Sequence, residues 1–220
     1  MKNRTAIVFG ATGLVGKALV EELCNSDRYF MIKVFSRHNT GLAGAEKIKE
    51  FVIDFNKLKD CSEMISGDDL FICLGTTIKK AGSVSRMEEI DRDLPVNLAT
   101  IASENSVERL AVISSLGANP GSSNYYLRIK GEMERGLMKL KFGTLIILRP
   151  SMLLGDRNER RTGEEIGKIM MKIIGLFLIG RLSKYKGIEA KKVAIAMVRA
   201  INDKTGTEIL ESDALQKIST

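Results

Sequence analysis

Short apolar runs alternate with segments of helical periodicity along most of the chain. The runs contain few polar positions, which is typical of strands that are buried on both faces of a parallel sheet. Predicted strands cover residues 5–9, 32–36, 50–53, 69–73, 110–114 and 144–148, and predicted helices cover 14–24, 87–105 and 123–140. Repeated alternation of strand and helix predicts an α/β fold, a doubly wound parallel sheet with right-handed crossovers.

This alternation loosens after Pro150 into a charged stretch, an apolar helix at 169–180 and a last predicted strand at 207–211. We expect residues 1–220 to form one domain, in which about 151–220 contribute a small C-terminal lid and substrate-side elements.

The apolar helix at 169–180 is interrupted by Lys172 and is too short to span a bilayer. We therefore expect it to be buried or to face a dimer partner. The alternative is that Met170, Met171 and Phe177 line a substrate pocket or touch a membrane surface.

The composition excludes several classes of protein. Hydrophobic residues make up 44% and charged residues 28%, which is an ordinary globular balance. Three widely spaced cysteines and a single histidine match no zinc or disulfide pattern, so we expect reduced, structural thiols. The N-terminal apolar run is too short for a signal peptide, which favours the cytoplasm. The net charge of +7 comes from scattered residues, so we expect neither a nucleic-acid partner nor membrane insertion.

Three glycines, Gly10, Gly13 and Gly16, lie between the first predicted strand and the first predicted helix. Backbone N–H groups and the dipole of a helix N-terminus attract a nucleotide diphosphate, and side chains would block its approach. Glycines at these positions permit a tight turn, close contact with phosphate, and packing of helix on sheet. A plain turn also uses glycine, but this context favours dinucleotide binding. The candidate contacts are Gly10, Thr12, Gly13, Leu14, Val15 and Gly16.

The ends of the next three predicted strands provide further candidate cofactor contacts. Arg37 stands where an NAD-preferring site would have an acidic residue, and its guanidinium can pair with a 2'-phosphate. We therefore predict NADP(H) as the cofactor, the alternative being a solvated arginine. Asp54 could accept a hydrogen bond from the adenine amino group or cap the next helix. Leu74 and Gly75 are expected over the middle of the cofactor, unless Gly75 only makes a turn.

Tyr126 and Lys130 are four residues apart, so both side chains are expected on one helix face, whereas Tyr125 would point away from Lys130. An ammonium beside a phenol favours the phenolate, which lets Tyr126 exchange a proton with an alcohol, and the amine can reach the nicotinamide ribose. A serine at the preceding strand end, Ser115 or Ser114, would stabilise negative charge on a carbonyl oxygen. An exposed amphipathic helix is the usual interpretation of such spacing, but the upstream serines and glycine turn favour catalysis.

The chain resembles the atypical short-chain dehydrogenase/reductases, most closely the Tat-interacting-protein-like branch and its bacterial relatives. The motifs are GATGLVG at 10–16, FSR at 35–37, CLGTT at 73–77, SSLGA at 114–118, YLRIKGEME at 126–134 and LRPSMLLGDR at 148–157. The resemblance extends over nearly the whole chain. It implies a Rossmann fold that binds NADP(H), and the helices at 87–105 and 123–140 correspond to faces that often pair, so we expect a monomer or homodimer.

The resemblance also implies roles for individual residues. Tyr126 would be the proton donor or acceptor and Lys130 its partner. Leu153 and Arg161 would be further cofactor contacts, although Arg157 and Arg160 compete with Arg161 as the cation that closes over phosphate.

Two features depart from the usual short-chain pattern. The fourth strand has CLGTT in place of Asn-Ala-Gly, and the spacing from serine to tyrosine is slightly short. Alignment with the related extended enzymes favours Ser115, and Ser114 is the alternative.

These observations lead to two hypotheses about function. The first is an NADPH-dependent oxidoreductase that reduces a small carbonyl compound, with hydride from the nicotinamide and a proton from Tyr126. The second is a non-catalytic NADPH-binding regulatory or redox-sensing protein. A tyrosine paired with a lysine favours chemistry, because a sensor has no use for an activated phenol.

Overall fold

A seven-stranded parallel sheet forms the centre of the molecule. The computed structural model describes residues 3–155 and 184–220. The strands are β1 (Arg4–Phe9), β2 (Tyr29–Ser36), β3 (Ile48–Val52), β4 (Asp69–Ile72), β5 (Arg109–Ile113), β6 (Thr144–Arg149), β7 (Leu153–Leu154), β8 (Ile188–Glu189) and β9 (Gly206–Glu211). Within the described ranges the sheet has the order β3-β2-β1-β4-β5-β6-β9, and β7 pairs separately with β8.

Helices cover both faces of this sheet. They are α1 (Leu14–Asn25), α2 (Ile78–Ala81), α3 (Val84–Glu88), α4 (Leu94–Glu104), α5 (Tyr125–Leu137), α6 (Ala190–Asp203) and α7 (Ser212–Ile218), with a 3₁₀ helix at Leu58–Met64 and a π-helical turn at Glu89–Asp93. Alternate strand residues point to opposite faces. One core packs α1, α6 and α7 around residues such as Leu19, and the other packs α4 and α5 around residues such as Met133.

The strand order reverses direction beside β1. The chain runs from β1 outward to β2 and β3, and then crosses back to β4 on the other side of β1. The connections that leave β1 and β4 therefore diverge at the carboxyl ends of these strands, which opens a crevice where doubly wound sheets bind their ligands. The predicted Rossmann-type fold is confirmed.

The predicted strands, including the last one, are all found, with ends shifted by at most three residues. In the C-terminal part, β9 extends the sheet beside β6 and α6 packs against α1. Residues 190–220 therefore belong to the layers of the Rossmann fold itself. The helix predicted at 169–180 and most of the expected lid lie outside the described residues. No helix in the described part is long and apolar enough to cross a membrane.

The predicted helix at 87–105 is interrupted in the structure. Its path runs through α3, the π-helical turn and α4. Pro95 has no N–H group to donate to the carbonyl of Asp91, and its ring would clash with that carbonyl in a regular helix. The chain widens here, and the N–H of Leu94 bonds to the carbonyl of Glu89, five residues back. Wide turns of this kind are frequent at functional sites.

Candidate active site

The turn after β1 depends on glycine at two positions for reasons internal to the protein. Gly10 has a φ of +86°, and a Cβ there would lie 2.6 Å from the carbonyl oxygen of Cys73. At Gly16, in the first turn of α1, a Cβ would lie 2.0 Å from the carbonyl oxygen of Gly10. The close packing of turn, strand and helix therefore excludes side chains at both positions.

Gly13 differs from the other two glycines because the protein itself leaves more room around it. A Cβ there would approach the carbonyl oxygen of Gly10 at 3.3 Å and that of Cys73 at 3.8 Å. Gly13 is exposed and precedes α1, whose first internal hydrogen bond runs from the N–H of Lys17 to the carbonyl of Gly13. The N–H groups of the first three helical residues therefore have no partner within the helix, and they form a site suited to an anion. These residues are Leu14, Val15 and Gly16.

An open pocket of about 390 Å³ lies at the carboxyl ends of β2 and β3. Its lining residues are Arg37, His38, Val52, Ile53 and Asp54. The structure thus brings Arg37, predicted to bind the 2'-phosphate, to the same pocket as Asp54, the candidate partner of the adenine amino group. Both side chains are exposed. Val52, with 58% of its surface exposed, provides an apolar surface for a flat ring.

The structure separates the two roles considered for Asp54. Its Oδ1 accepts hydrogen bonds of 2.9 Å from the backbone N–H and the side-chain amide of Asn56. The following 3₁₀ helix begins after Lys57 and receives no side-chain cap. Asp54 therefore stabilises a turn and does not cap the helix.

Glu50, on β3, is an acidic group near this pocket that sequence reasoning missed. Its Oε1 accepts a 2.6 Å hydrogen bond from the N–H of Thr40 and lies 3.3 Å from the hydroxyl of Ser36. These bonds stabilise the loop after β2, which carries Arg37.

The CLGTT loop after β4 separates the glycine turn from the catalytic candidates. Cys73 donates its N–H to the carbonyl of Phe9 at 2.8 Å, and its thiol packs 3.9 Å from the sulfur of Met197. Burial raises the pKa of Cys73 to about 12, so this thiol stays protonated at neutral pH. All three cysteines of the chain are free, as expected. Leu74 is half-buried, and Gly75 is exposed.

Tyr126 and Lys130 lie together on α5, as predicted. Asn124 starts this helix by accepting a 3.2 Å hydrogen bond from the N–H of Leu127. The Tyr126 side chain is 37% exposed, whereas Lys130 is 2% exposed, and its Nζ lies 2.8 Å from Oδ1 of Asp91. Burial lowers the pKa of Lys130, but the charges of Asp91 and then Tyr126 outweigh this effect, so the net pKa is raised. Lys130 is therefore an ammonium at neutral pH.

The two candidate serines have different surroundings. Ser114 is buried, and its hydroxyl donates a short hydrogen bond to Oε1 of Glu134. Arg149 binds both oxygens of Glu134, at 2.9 and 2.5 Å, so Ser114 belongs to a buried network that joins β5, α5 and β6. Ser115 is half-buried, and among the described residues its hydroxyl makes only a weak 3.4 Å contact with the carbonyl of Leu116. This geometry favours Ser115 as the serine that meets a substrate.

Leu153 lies in β7, where it pairs with Ile188 of β8, and it packs against the core below α1. In the same segment, a Cβ on Gly155 would come within 2.9 Å of the Leu14 side chain. The segment after β6 therefore borders the start of α1, and the cofactor contact at Leu153 stays a prediction. Arg161 and its alternatives Arg157 and Arg160 lie outside the described residues.

The residues missed by sequence reasoning are acidic partners of the predicted ones. Asp91 lies in a helical segment that is distant in sequence and forms an ion pair with Lys130. Glu134 accepts a hydrogen bond from Ser114. Two sequence features could have revealed them. Pro95, four residues after Asp91, indicates that the helix is interrupted near Asp91. Glu134 follows Tyr126 and Lys130 at the same spacing of four residues and so shares their helix face.

Residues 10–204 match the NAD(P)H-binding family model. The chain belongs to this family. It is 33% identical over 171 residues to protein HTATIP2 of Rattus norvegicus, covering 76% of this chain and 70% of that protein. It is 35% identical over 209 residues to the mitochondrial protein FMP52 of Candida glabrata, covering 91% and 86%. These relatives confirm the atypical short-chain dehydrogenase/reductase assignment, whereas a bacterial source and a cytoplasmic location stay predictions.

Solved structures show the same fold at low sequence identity. The enzyme WbmG from Bordetella bronchiseptica, in complex with NAD, superposes with a TM-score of 0.70 at 13% identity, over 96% of this chain and 73% of WbmG. Together with the family match, this places the chain among NAD(P)-binding, oxidoreductase-like Rossmann proteins.

Proposed function

We propose that the chain is an NADPH-dependent oxidoreductase that reduces a small carbonyl compound. One observation carries the proposal: a buried lysine ammonium lies one helical turn from an exposed tyrosine phenol. Burying an ammonium costs desolvation free energy, and the buried carboxylate of Asp91 offsets part of this cost by pairing with Lys130. Buried ionisable groups with a specific charge partner are frequent at functional sites.

The described residues fit a nicotinamide dinucleotide. The N-terminus of α1 offers N–H groups that have no partner within the helix, beside the exposed Gly13, which suits the diphosphate. The pocket at β2 and β3 suits the adenosine, and its arginine suits a 2'-phosphate. The residues proposed to hold the cofactor are Gly10, Thr12, Gly13, Leu14, Val15, Gly16, Arg37, Asp54, Leu74, Gly75, Tyr126, Lys130 and Leu153, with Arg161 beyond the described part.

The proposed reaction is divided between the cofactor and three side chains. When bound, the reduced cofactor supplies a hydride to the carbonyl carbon. Tyr126 donates its phenolic proton to the carbonyl oxygen, so that C=O becomes CH–OH and the tyrosine is left as a phenolate. The ammonium of Lys130 stabilises that phenolate. Ser115 donates a hydrogen bond to the same oxygen while negative charge develops on it.

A screen of small aldehydes and ketones tests this function. The full-length protein is incubated with reduced NADP, oxidation of the nicotinamide is followed by absorbance, and the alcohol product is identified. We expect turnover with apolar carbonyl compounds. Binding of the cofactor without turnover of any compound would contradict the proposal and would favour the non-catalytic regulatory or redox-sensing alternative.

Replacing Arg37 with alanine is expected to weaken binding of NADPH about tenfold and to leave binding of NADH unchanged, because only NADPH has a 2'-phosphate for the guanidinium. Both dissociation constants can be measured by calorimetry. Arg28→Ala is the matched control, since Arg28 is also exposed but precedes β2 at its amino end. Equal affinity of the unmodified protein for NADPH and NADH would contradict the proposed specificity.

A further inference from the structure

Asp91 is a fully buried carboxylate in the π-helical turn between α3 and α4. Its two oxygens have different partners. Oδ1 lies 2.8 Å from Nζ of Lys130 on α5, and Oδ2 accepts a 2.9 Å hydrogen bond from the backbone N–H of Thr76 in the CLGTT loop. One side chain therefore connects the proposed catalytic helix with the loop expected over the cofactor.

The surroundings of Lys130 explain why such a connection matters. A lysine side chain has four flexible methylene groups, so its ammonium has no fixed position unless another group holds it. The charged or titratable groups that act on this ammonium are Asp91, Tyr126 and Glu134. Glu134 itself accepts hydrogen bonds from Nε and Nη2 of Arg149 and from the hydroxyl of Ser114. Among these groups, Asp91 makes the direct ion pair and fixes the ammonium.

The position of Gly75 shows where the ion pair of Asp91 and Lys130 lies relative to the protein surface. A Cβ on Gly75 would lie 3.4 Å from Oδ1 of Asp91 and 4.0 Å from Nζ of Lys130. Gly75 is exposed, whereas both partners of the ion pair are buried. The ion pair therefore lies next to the exposed Gly75, which is expected over the middle of the cofactor.

We propose that Asp91 is a positioning residue that acts through Lys130, holding its ammonium beneath Gly75 so that it can reach the cofactor ribose and Tyr126. The proposal rests on the proposed function, because it assigns Lys130 a role in cofactor binding. Asp91 does not touch substrate or cofactor itself. Its effect therefore depends on the presence of the lysine, and this dependence makes it testable.

A double-mutant cycle on cofactor affinity tests this role. We expect Asp91→Ala and Lys130→Met each to weaken binding of reduced NADP by about tenfold, the loss of one charge-assisted hydrogen bond. The double variant is expected to bind no more weakly than Lys130→Met alone. Asp91→Asn should restore part of the affinity, because its amide oxygen can still accept a hydrogen bond from the ammonium.

Asp69→Asn is the matched control. Asp69 is also fully buried and pairs with an arginine, Arg109, at 2.5 Å, but it lies at the amino end of β4, away from the site. We expect this variant to lose stability and to keep its affinity for reduced NADP within about twofold. Thermal melting and circular dichroism establish that each variant is folded. If Asp91→Ala does not fold, Asp91→Asn completes the same cycle.

Two results would overturn the positioning role. One is an unchanged affinity in folded Asp91→Ala or Asp91→Asn, and the other is an equal loss from the Asp91 substitution with and without Lys130. Failure of the proposed function looks different, because the unmodified protein would then turn over no carbonyl compound, whereas the cycle is measured on affinity for reduced NADP alone.

Discussion

Replacing Tyr126 with phenylalanine is expected to lower carbonyl reduction by about 10²–10⁴-fold, the usual contribution of a positioned acid or base. The phenolic proton is the one proposed to reach the carbonyl oxygen, and phenylalanine preserves the ring without it. Affinity for reduced NADP should change little, because phenylalanine keeps the ring of this one proposed cofactor contact and the diphosphate and adenosine contacts lie on other elements. Rates with the best substrate from the screen and calorimetric dissociation constants check both expectations.

The neighbouring tyrosine provides the control for this experiment. Tyr125 starts the same helix, but its ring lies against the guanidinium of Arg128, with 5.1 Å from the ring centroid to the central carbon. Tyr125→Phe should therefore keep most of the activity. Full turnover by Tyr126→Phe, or equal losses in the two variants, would exclude the proposed role of Tyr126.

Gly16→Ala is expected to lower the free energy of unfolding by about 3 kcal/mol, at the upper end of the usual cost of overpacking. The added Cβ would lie 2.0 Å from the carbonyl oxygen of Gly10 and 2.9 Å from Cα of Ala11. Both neighbours are backbone atoms and cannot turn aside, so α1 must move away from the strand. The same movement displaces the N–H groups proposed to bind the diphosphate, so affinity for reduced NADP should fall as well.

Urea denaturation measures the free energy of unfolding of Gly16→Ala, and Gly44→Ala is the matched control. A Cβ on Gly44 meets no atom within 4 Å, and its backbone does not require glycine. Gly44→Ala should therefore have nearly the stability and cofactor affinity of the unmodified protein. If Gly16→Ala behaved like Gly44→Ala, the close packing of α1 on the turn would be refuted.

The strands could be predicted because burial on both faces leaves continuous apolar runs that few other structures share. Their ends could not be fixed, because they depend on contacts distant in sequence. The start of β2 at Tyr29, three residues before the predicted start, is an example. The hydroxyl of Tyr29 donates a 2.6 Å hydrogen bond to Asp69 on β4, and this contact buries a position that looks like a loop in the sequence.

The candidate site was predictable where its geometry is local. Spacing along one helix predicts that Tyr126 and Lys130 share a face, and three glycines after a strand predict the turn. The partners of these residues were not predictable. Asp91 and Glu134 look like ordinary charged positions on amphipathic helices, and only the fold brings Asp91 to Lys130 and Glu134 to Ser114. For the same reason the sequence favoured Ser115 but kept Ser114 as an alternative, and only the fold shows that Ser114 lies in a buried network.

In the proposed function, the N-terminus of α1 and the glycine turn bind the diphosphate of a nicotinamide dinucleotide. Calorimetric titration of the full-length protein with reduced NADP tests it most directly. We expect one binding site per chain and tighter binding than for NADH. The absence of binding heat with the reduced and oxidised forms of both NADP and NAD, in a protein shown to be folded by circular dichroism, would contradict it.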